Sequence, residues 1–193
     1  DHVLCNEIKE ILELLLSQTK ALEKDDNSTI DGFPLKLHGI YTKAQIQVAI
    51  GTSTLERKSP AREGAERNKS LNVEAMFVDI IKNREEGSTT DYDDKALSPY
   101  LFQWDTQNSV RPESNVGQAY INQTQTMLLF VREQKTFAED KTRTMGYVYL
   151  GRVTLNDWEY KNLGSRMQMQ IVWNMIEPIP GSVMHFARMK EIA

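Results

Sequence analysis

The sequence predicts an α+β fold: a curved antiparallel sheet or β-barrel, with an N-terminal amphipathic helix and a few short helices. Three observations carry this. Apolar stretches with strand periodicity are joined by polar loops rather than by regular helices, which excludes a doubly wound parallel sheet. Residues 167–176 alternate cleanly: Met167, Met169, Ile171, Trp173 and Met175 take one face, with Gln168, Gln170 and Asn174 on the other. Leu4, Ile8, Ile11, Leu12, Leu15 and Leu22 instead recur at helical spacing across residues 3–24.

Taken in order, the helix at 3–24 has an apolar face wide enough to pack on the domain's own core; docking on a neighbouring domain is the alternative. Residues 25–32 are polar and turn-forming, which suggests a helical connector over 1–30 and a main domain over 31–193. Thr42 and Gln45 have capping-box spacing, Ile46, Ala49 and Ile50 supply a buried face, and Gly51 a stop; together they predict a helix over Lys43–Ile50. His38, Tyr41 and Lys43 stand at its entrance, where free N–H groups would suit a phosphate. Residues 52–70 read as a locally basic loop with Arg57, Lys58, Arg62, Arg67 and Lys69. Leu71–Lys82 reads as a strand with Met76, Val78 and Ile80 on one face and Phe77 and Ile81 on the other. A polar connection follows, carrying Asp91-Tyr92-Asp93-Asp94. Further strands are predicted at Tyr100–Trp104, Met127–Val131, Gly146–Thr154 and Met167–Ile176, the last ended by Pro178 and Pro180. Ser114 caps a short helix at Asn115–Ile121.

Composition narrows the function. A chain of 193 residues with 40% hydrophobic side chains can bury a core without staples. A net charge of −4 argues against coating nucleic acid by bulk charge, though not against a local basic patch. One cysteine, Cys5, excludes an intrachain disulfide and a multi-thiolate zinc site, and points to a reducing, cytoplasmic setting. No apolar run approaches the roughly 20 residues that span a bilayer, so no membrane partner is expected. The chain begins at Asp1 rather than Met, and the expectation is a piece of a longer protein.

There is no P-loop, no G-x-G-x-x-G and no G-x-S-x-G elbow, and His2, His38 and His185 lack metal-ligand spacing. One catalytic pattern deserves weighing. Glu133-Gln134-Lys135 at a strand end, with Glu113 upstream, resembles the acid–lysine sets that hold a divalent ion in restriction-type nucleases. The rival constellation is aromatic and amide: Tyr41, Tyr92, Trp104, Gln107, Ser109, Gln118 and Tyr120. Such groups can stack a flipped base and read its edge, with Lys43, Arg57, Arg62 and Arg111 on phosphates. Trp104 and Tyr120 could equally be core residues.

Ordered blocks then carry a family resemblance. These are L-H-G-I-Y-T-K-A-Q-I-Q-V-A-I-G (37–51), Y-D-D-K-A-L-S-P-Y-L-F-Q-W-D-T-Q-N-S (92–109), P-E-S-N-V-G-Q-A-Y-I (112–121), L-L-F-V-R-E-Q-K (128–135), Y-L-G-R-V (149–153) and I-V-W-N-M-I-E-P-I-P (171–180). The set resembles the uncharacterised C-terminal, helicase-associated domain of bacterial proteins that join a phospholipase-D-type nuclease to a superfamily II helicase. Some of these fusions are modification-dependent, type IV restriction enzymes. The usual loop of that family looks like F-H-W-Q-S-Q-S followed by S-x-T-G-x-x-Y. Phe102, Trp104, Gln107, Ser114, Gly117 and Tyr120 hold those positions here, while Gln103, Asp105 and Asn108 depart from it.

The resemblance implies a target-recognition module, with a barrel similar to SRA or PUA domains, that senses modified cytosine in double-stranded DNA during phage defence by base flipping into an aromatic pocket. ATP and Mg²⁺ would serve the motor and nuclease domains of the same longer chain, with no cofactor, metal or catalytic residue in this module. The candidate DNA- and base-contacting residues are Tyr41, Lys43, Tyr92, Gln103, Trp104, Gln107, Ser109, Arg111, Ser114, Gln118 and Tyr120. Arg57, Arg62 and Arg67 are the candidate phosphate contacts. A metal-dependent nuclease and a protein-interaction domain docking through residues 3–24 remain the alternatives.

Overall fold

Side chains alternate across a strand, so each strand divides its residues between two faces, and here both faces are used. The computed structural model describes residues 4–11, 33–54, 56–59, 64–81, 92–107, 110–162 and 167–188. In chain order the elements are α1 (residues 4–11), β1 (Ile40–Tyr41), α2 (Lys43–Ala49), β2 (Ala65–Asn68), β3 (Val73–Ile81), β4 (Lys95–Ser98), β5 (Leu101–Asp105), α3 (Asn115–Ile121), β6 (Thr126–Gln134), β7 (Tyr147–Asn162), β8 (Met167–Met175) and α4 (Gly181–Ala187). The strands form one eight-stranded sheet in the order β2-β3-β6-β7-β8-β5-β4, with β1 paired to the start of β7. The sheet is curved and open. Among the described residues β2 and β4 are its edges, so the expected curved sheet is present without closure into a barrel.

One pairing departs from the antiparallel expectation. β3 and β6 run parallel, with Val73 opposite Thr126 and Val78 opposite Val131. Each is buried on both faces over most of its length, which is the usual setting of parallel pairs. On one face Met76, Val78, Ile80, Met127, Leu129 and Val131 join Phe102, Trp104, Met169, Ile171 and Trp173 from β5 and β8, closed by Val183 and Ala187 of α4. On the other face Ala75, Phe77, Leu128, Phe130, Tyr147 and Tyr149 pack under Ile46 and Ile50 of α2.

Strand β7 lets the sheet bend. Its register slips at Leu129/Phe130 and again at Leu155/Asp157, so β7 carries an extra residue at each place. Bulges of this kind kink a strand and reset which residues face inward. Gly151, at φ +89°, takes the backbone conformation the first bulge needs. β7 runs to Asn162, eight residues past the predicted end, because the bulges break the strict alternation by which a strand is read. β1, β2, β4 and α4 also lie in stretches the sequence pattern left as loop, and are too short to show a period.

Local signals were more legible. Thr42 and Gln45 form the reciprocal capping box of α2, and Gly51 follows Ile50 at φ +71°. Ser114 accepts from the Gly117 N–H at the start of α3. Residues 4–11 are helical as predicted. However, Leu4, Ile8 and Ile11 are 57%, 48% and 57% exposed, so this stretch does not pack on the domain's core as the periodicity suggested. Most of the predicted 3–24 helix, and the rest of the connector to residue 30, lie outside the described residues.

Candidate nucleic-acid interface

Strand β5 sorts the predicted constellation into two halves. Phe102 and Trp104 point into the core, while Gln103 and Asp105 point to the opposite face. Trp104 is only 4% exposed and meets Tyr120 edge-on at 5.4 Å, with Trp173 at 6.4 Å. Tyr120 is 2% exposed. Both rings expected to stack a base are therefore core residues, held there by roughly 3–5 kcal/mol of burial each. Tyr41 lies against the other core, with its hydroxyl accepting from the Lys36 N–H at 2.8 Å. Tyr92 is half-buried beside the Asp93–Asp94 segment. The four aromatics do not converge, because sheet alternation and the two cores separate them.

The outward face of β5 and β8 holds a buried amide–carboxylate cluster. Asp105 accepts from the Asp93 backbone N–H at 2.7 Å, from Gln168 at 2.9 Å and from Gln170 at 2.8 Å. Asp94 accepts from the Asp105 N–H, and Gln103 donates to the Asp93 carbonyl and carboxylate. Lys161 donates to Gln170, and Lys95 pairs with Asp93 at 3.0 Å. The segment carrying Asp93 and Asp94 is thus tied over the sheet, and Gln103 is occupied in holding it.

From the end of β5 the chain passes into the connection that leads to α3. Thr106 is fully buried and exchanges hydrogen bonds with Met169 through its N–H and its hydroxyl. Gln107 is half-buried; Ser109 lies outside the described residues. Arg111 is exposed, and its carbonyl abuts Gly117, where a Cβ would come within 2.1 Å. Only glycine allows that approach. Ser114 donates to the same Arg111 carbonyl at 2.6 Å. Gln118 donates to the Pro112 carbonyl and accepts from Asn122, so both amides are pre-oriented. Asn115, Gln118 and Asn122 are exposed at i, i+3 and i+7, one face of α3, with Val116 beside them 44% exposed.

The last turn of α3 is anchored by Glu74 of β3. This carboxylate is 5% exposed and accepts from the Tyr120 hydroxyl at 2.7 Å and from Gln125. Burial pushes the Glu74 carboxyl above its ordinary range; the Tyr120 hydrogen bond, the charge of Arg67 and the Gln125 hydrogen bond pull it back. Arg67 is exposed on β2, directly opposite Glu74. Arg111, in the connection that leads into α3, is exposed as well.

Other expected sites resolve differently. Lys43 lies over the Phe77 ring at 4.6 Å, and the capping box takes up the Thr42 and Gln45 N–H groups at the entrance to α2. Arg57 is exposed; Arg62 lies outside the described residues. Among the described residues no group of three His, Cys, Asp or Glu could hold a metal ion. Glu133 sits seven residues along β6 from Thr126, so about 23 Å of strand separates it from the connection that follows α3. Arg132 forks onto Asp79 at 2.7 and 2.9 Å and covers the Tyr147 ring at 4.2 Å. Burial, reinforced by the Asp79 charge, raises the Tyr147 hydroxyl far above its ordinary range.

A family model described as a domain of unknown function, DUF3427, matches residues 35–186. The chain belongs to that family. The DUF3427 match takes in all eight strands together with α2 and α3, so the α3 face and the Glu74 anchor lie within it. No curated protein matches the chain.

Sequence reasoning missed Asn115 and Asn122 as neighbours of Gln118 on the exposed face of α3, and Glu74 as the anchor of Tyr120. The spacing of 115, 118 and 122 carried the first signal. Nothing local could reveal the second, because Glu74 and Tyr120 are far apart in sequence.

Proposed function

We propose that this DUF3427 domain is the DNA-binding target-recognition module of a larger ATP-dependent restriction enzyme, and that it contacts double-stranded DNA through the exposed face of α3. The observation that carries the reading is the exposed, amide-lined face of a short helix, with the exposed Arg111 in the connection that leads into it. An arginine on a phosphate sets position and register, and amides beside it read base edges. Asparagine and glutamine suit adenine in the major groove, and an apolar side chain suits a methyl group there. Val116 beside Asn115 accordingly fits a methyl at C5 of cytosine, one form of the modified cytosine that the family resemblance implies. The net charge of −4 is compatible with this, because contact is confined to a few residues. On this reading ATP and Mg²⁺ would serve the helicase and nuclease domains that the family resemblance implies.

The test is fluorescence anisotropy with duplexes that differ only in cytosine methylation. The expected result is tighter binding to the methylated duplex, lost in Gln118→Ala and Val116→Ala while the melting curve is kept. Equal affinity for both duplexes in the unmutated chain removes modification sensing, and no binding to either removes the whole reading.

A further inference from the structure

The far half of β7 is an open edge inside the sheet. β6 lies beside β7 only from Val148 to Val153, whereas β8 follows it to Asn162. Among the described residues, no strand pairs with the other side of β7 beyond Val153. The β8 register fixes which groups face that side. Met169 accepts from the Thr106 N–H and Met175 donates to the Tyr100 carbonyl, so these odd-numbered residues turn their backbone to β5. Gln168, Gln170 and Val172 therefore turn theirs to β7, opposite Lys161, Glu159 and Asp157. Trp158 and Tyr160 lie between those three, and their N–H and C=O groups point to the open side. Side chains stand in there for a strand: the Asp157 carboxylate takes the Trp158 N–H at 2.8 Å, and the Gln123 side-chain oxygen takes the Leu155 N–H at 2.9 Å.

An open edge fits one chemistry, an extended polypeptide backbone. The side chains select which. Asp157-Trp158-Glu159-Tyr160-Lys161 is self-complementary when laid antiparallel on itself. About a two-fold axis at Glu159, Trp158 meets Tyr160 of the second copy, and Asp157 meets Lys161 of the second copy, each contact occurring twice. Each Trp158–Tyr160 pair exchanges both backbone hydrogen bonds, because both residues present their N–H and C=O to that side. Their rings are half-buried against the inner core, while the exposed Asp157 and Glu159 and the half-buried Lys161 take the other face. The two Glu159 side chains on the axis are the one repulsive contact, and Lys161 already answers each at 2.8 Å. We propose that this edge is a homodimer interface: two copies join antiparallel through residues 157–161 into one continuous sheet. The axis of such a pair stands normal to the sheet, so both copies of α3, which packs on the inner core through Tyr120, come to the same side. The contact is short, so the dimer is weak and reversible.

Sedimentation velocity on the 193-residue chain tests this, over a concentration series up to about 1 mM, where a millimolar contact is still populated. The expected result is a reversible monomer–dimer equilibrium. Asp157→Lys sets lysine against lysine twice and is expected to weaken the dimer about tenfold. Combining it with Lys161→Asp restores the opposite charges and is expected to recover the wild-type constant. A chain that stays monomeric throughout, a dimer that Asp157→Lys leaves unmoved, or a double variant as weak as the single one overturns the proposal. If Asp157→Lys does not fold, Glu159→Gln decides. It removes the like charges on the axis and is expected to tighten the dimer about threefold; an unchanged or weakened dimer overturns the proposal. Residue-resolved hydrogen exchange locates the contact. The Trp158 and Tyr160 amides are expected to exchange more slowly as concentration rises, while those of Glu159 and Lys161, already turned to β8, hold their rates. A dimer formed elsewhere, through residues 4–11 for example, leaves the Trp158 and Tyr160 amides unchanged and overturns the proposal.

Discussion

Trp104→Ala separates a core residue from a base-stacking one. Trp104 is 4% exposed, with Tyr120 edge-on at 5.4 Å and Trp173 at 6.4 Å. Truncating such a side chain removes its burial and leaves a cavity, at about 3–5 kcal/mol. Domain stabilities are typically about 5–15 kcal/mol, so the loss is a large part of the total. For a chain of this size each kcal/mol moves the melting temperature by about 2–4 °C, which gives a fall of about 6–20 °C. The damage should spread to α3, because Tyr120 loses its ring partner. Thermal unfolding followed by circular dichroism measures this directly. A surface aromatic that stacked a base would instead change stability by no more than about 0.5 kcal/mol on truncation. A Trp104→Ala chain that melts within a degree or so of the wild type, while losing duplex discrimination, would refute the assignment of Trp104 to the core.

Three further outcomes follow from the same contacts. Arg111→Ala should leave the melting curve unchanged and lower the salt slope of duplex binding by about 0.9; an unaltered slope would take Arg111 out of the interface. Asp105→Asn places an amide N–H against donors, of which the Asp93 backbone N–H cannot turn over. It should cost about 1–3 kcal/mol in urea unfolding, and an unchanged midpoint would show that the cluster is not held by that carboxylate. Asp79→Asn leaves the Arg132 guanidinium, 7% exposed, without its counter-charge and should cost about 3 kcal/mol. Replacing both partners by leucine should recover most of that loss in the same unfolding experiment, and a double variant as unstable as the single one would contradict the argument.

Strand alternation, capping chemistry and turn residues act within a few residues, and they were readable from the chain. The capping box of Thr42 and Gln45, the Ser114 cap and the inward set Met169, Ile171, Trp173 and Met175 all follow from such rules. The α+β class followed as well, because strand-length apolar runs joined by loops leave few other solutions. Alternation also requires Gln103 and Trp104, as neighbours on one strand, to face opposite ways.

The remainder depended on residues distant in sequence. The parallel pairing of β3 with β6 is invisible locally, since it spans two other strands and a helix. The length of β7 was hidden by two bulges that erase its period. Whether Trp104 and Tyr120 were walls or core was settled by the curvature that brings β5 and β8 over β3 and β6. By itself the sequence determined the local elements and the residues rich in hydrogen-bonding groups. Only the tertiary structure decided which of those groups are spent on Asp105 and Glu74 inside the fold and which, on α3, still face water. A hydrogen bond satisfied across the sheet leaves no mark in the spacing of the residues that make it.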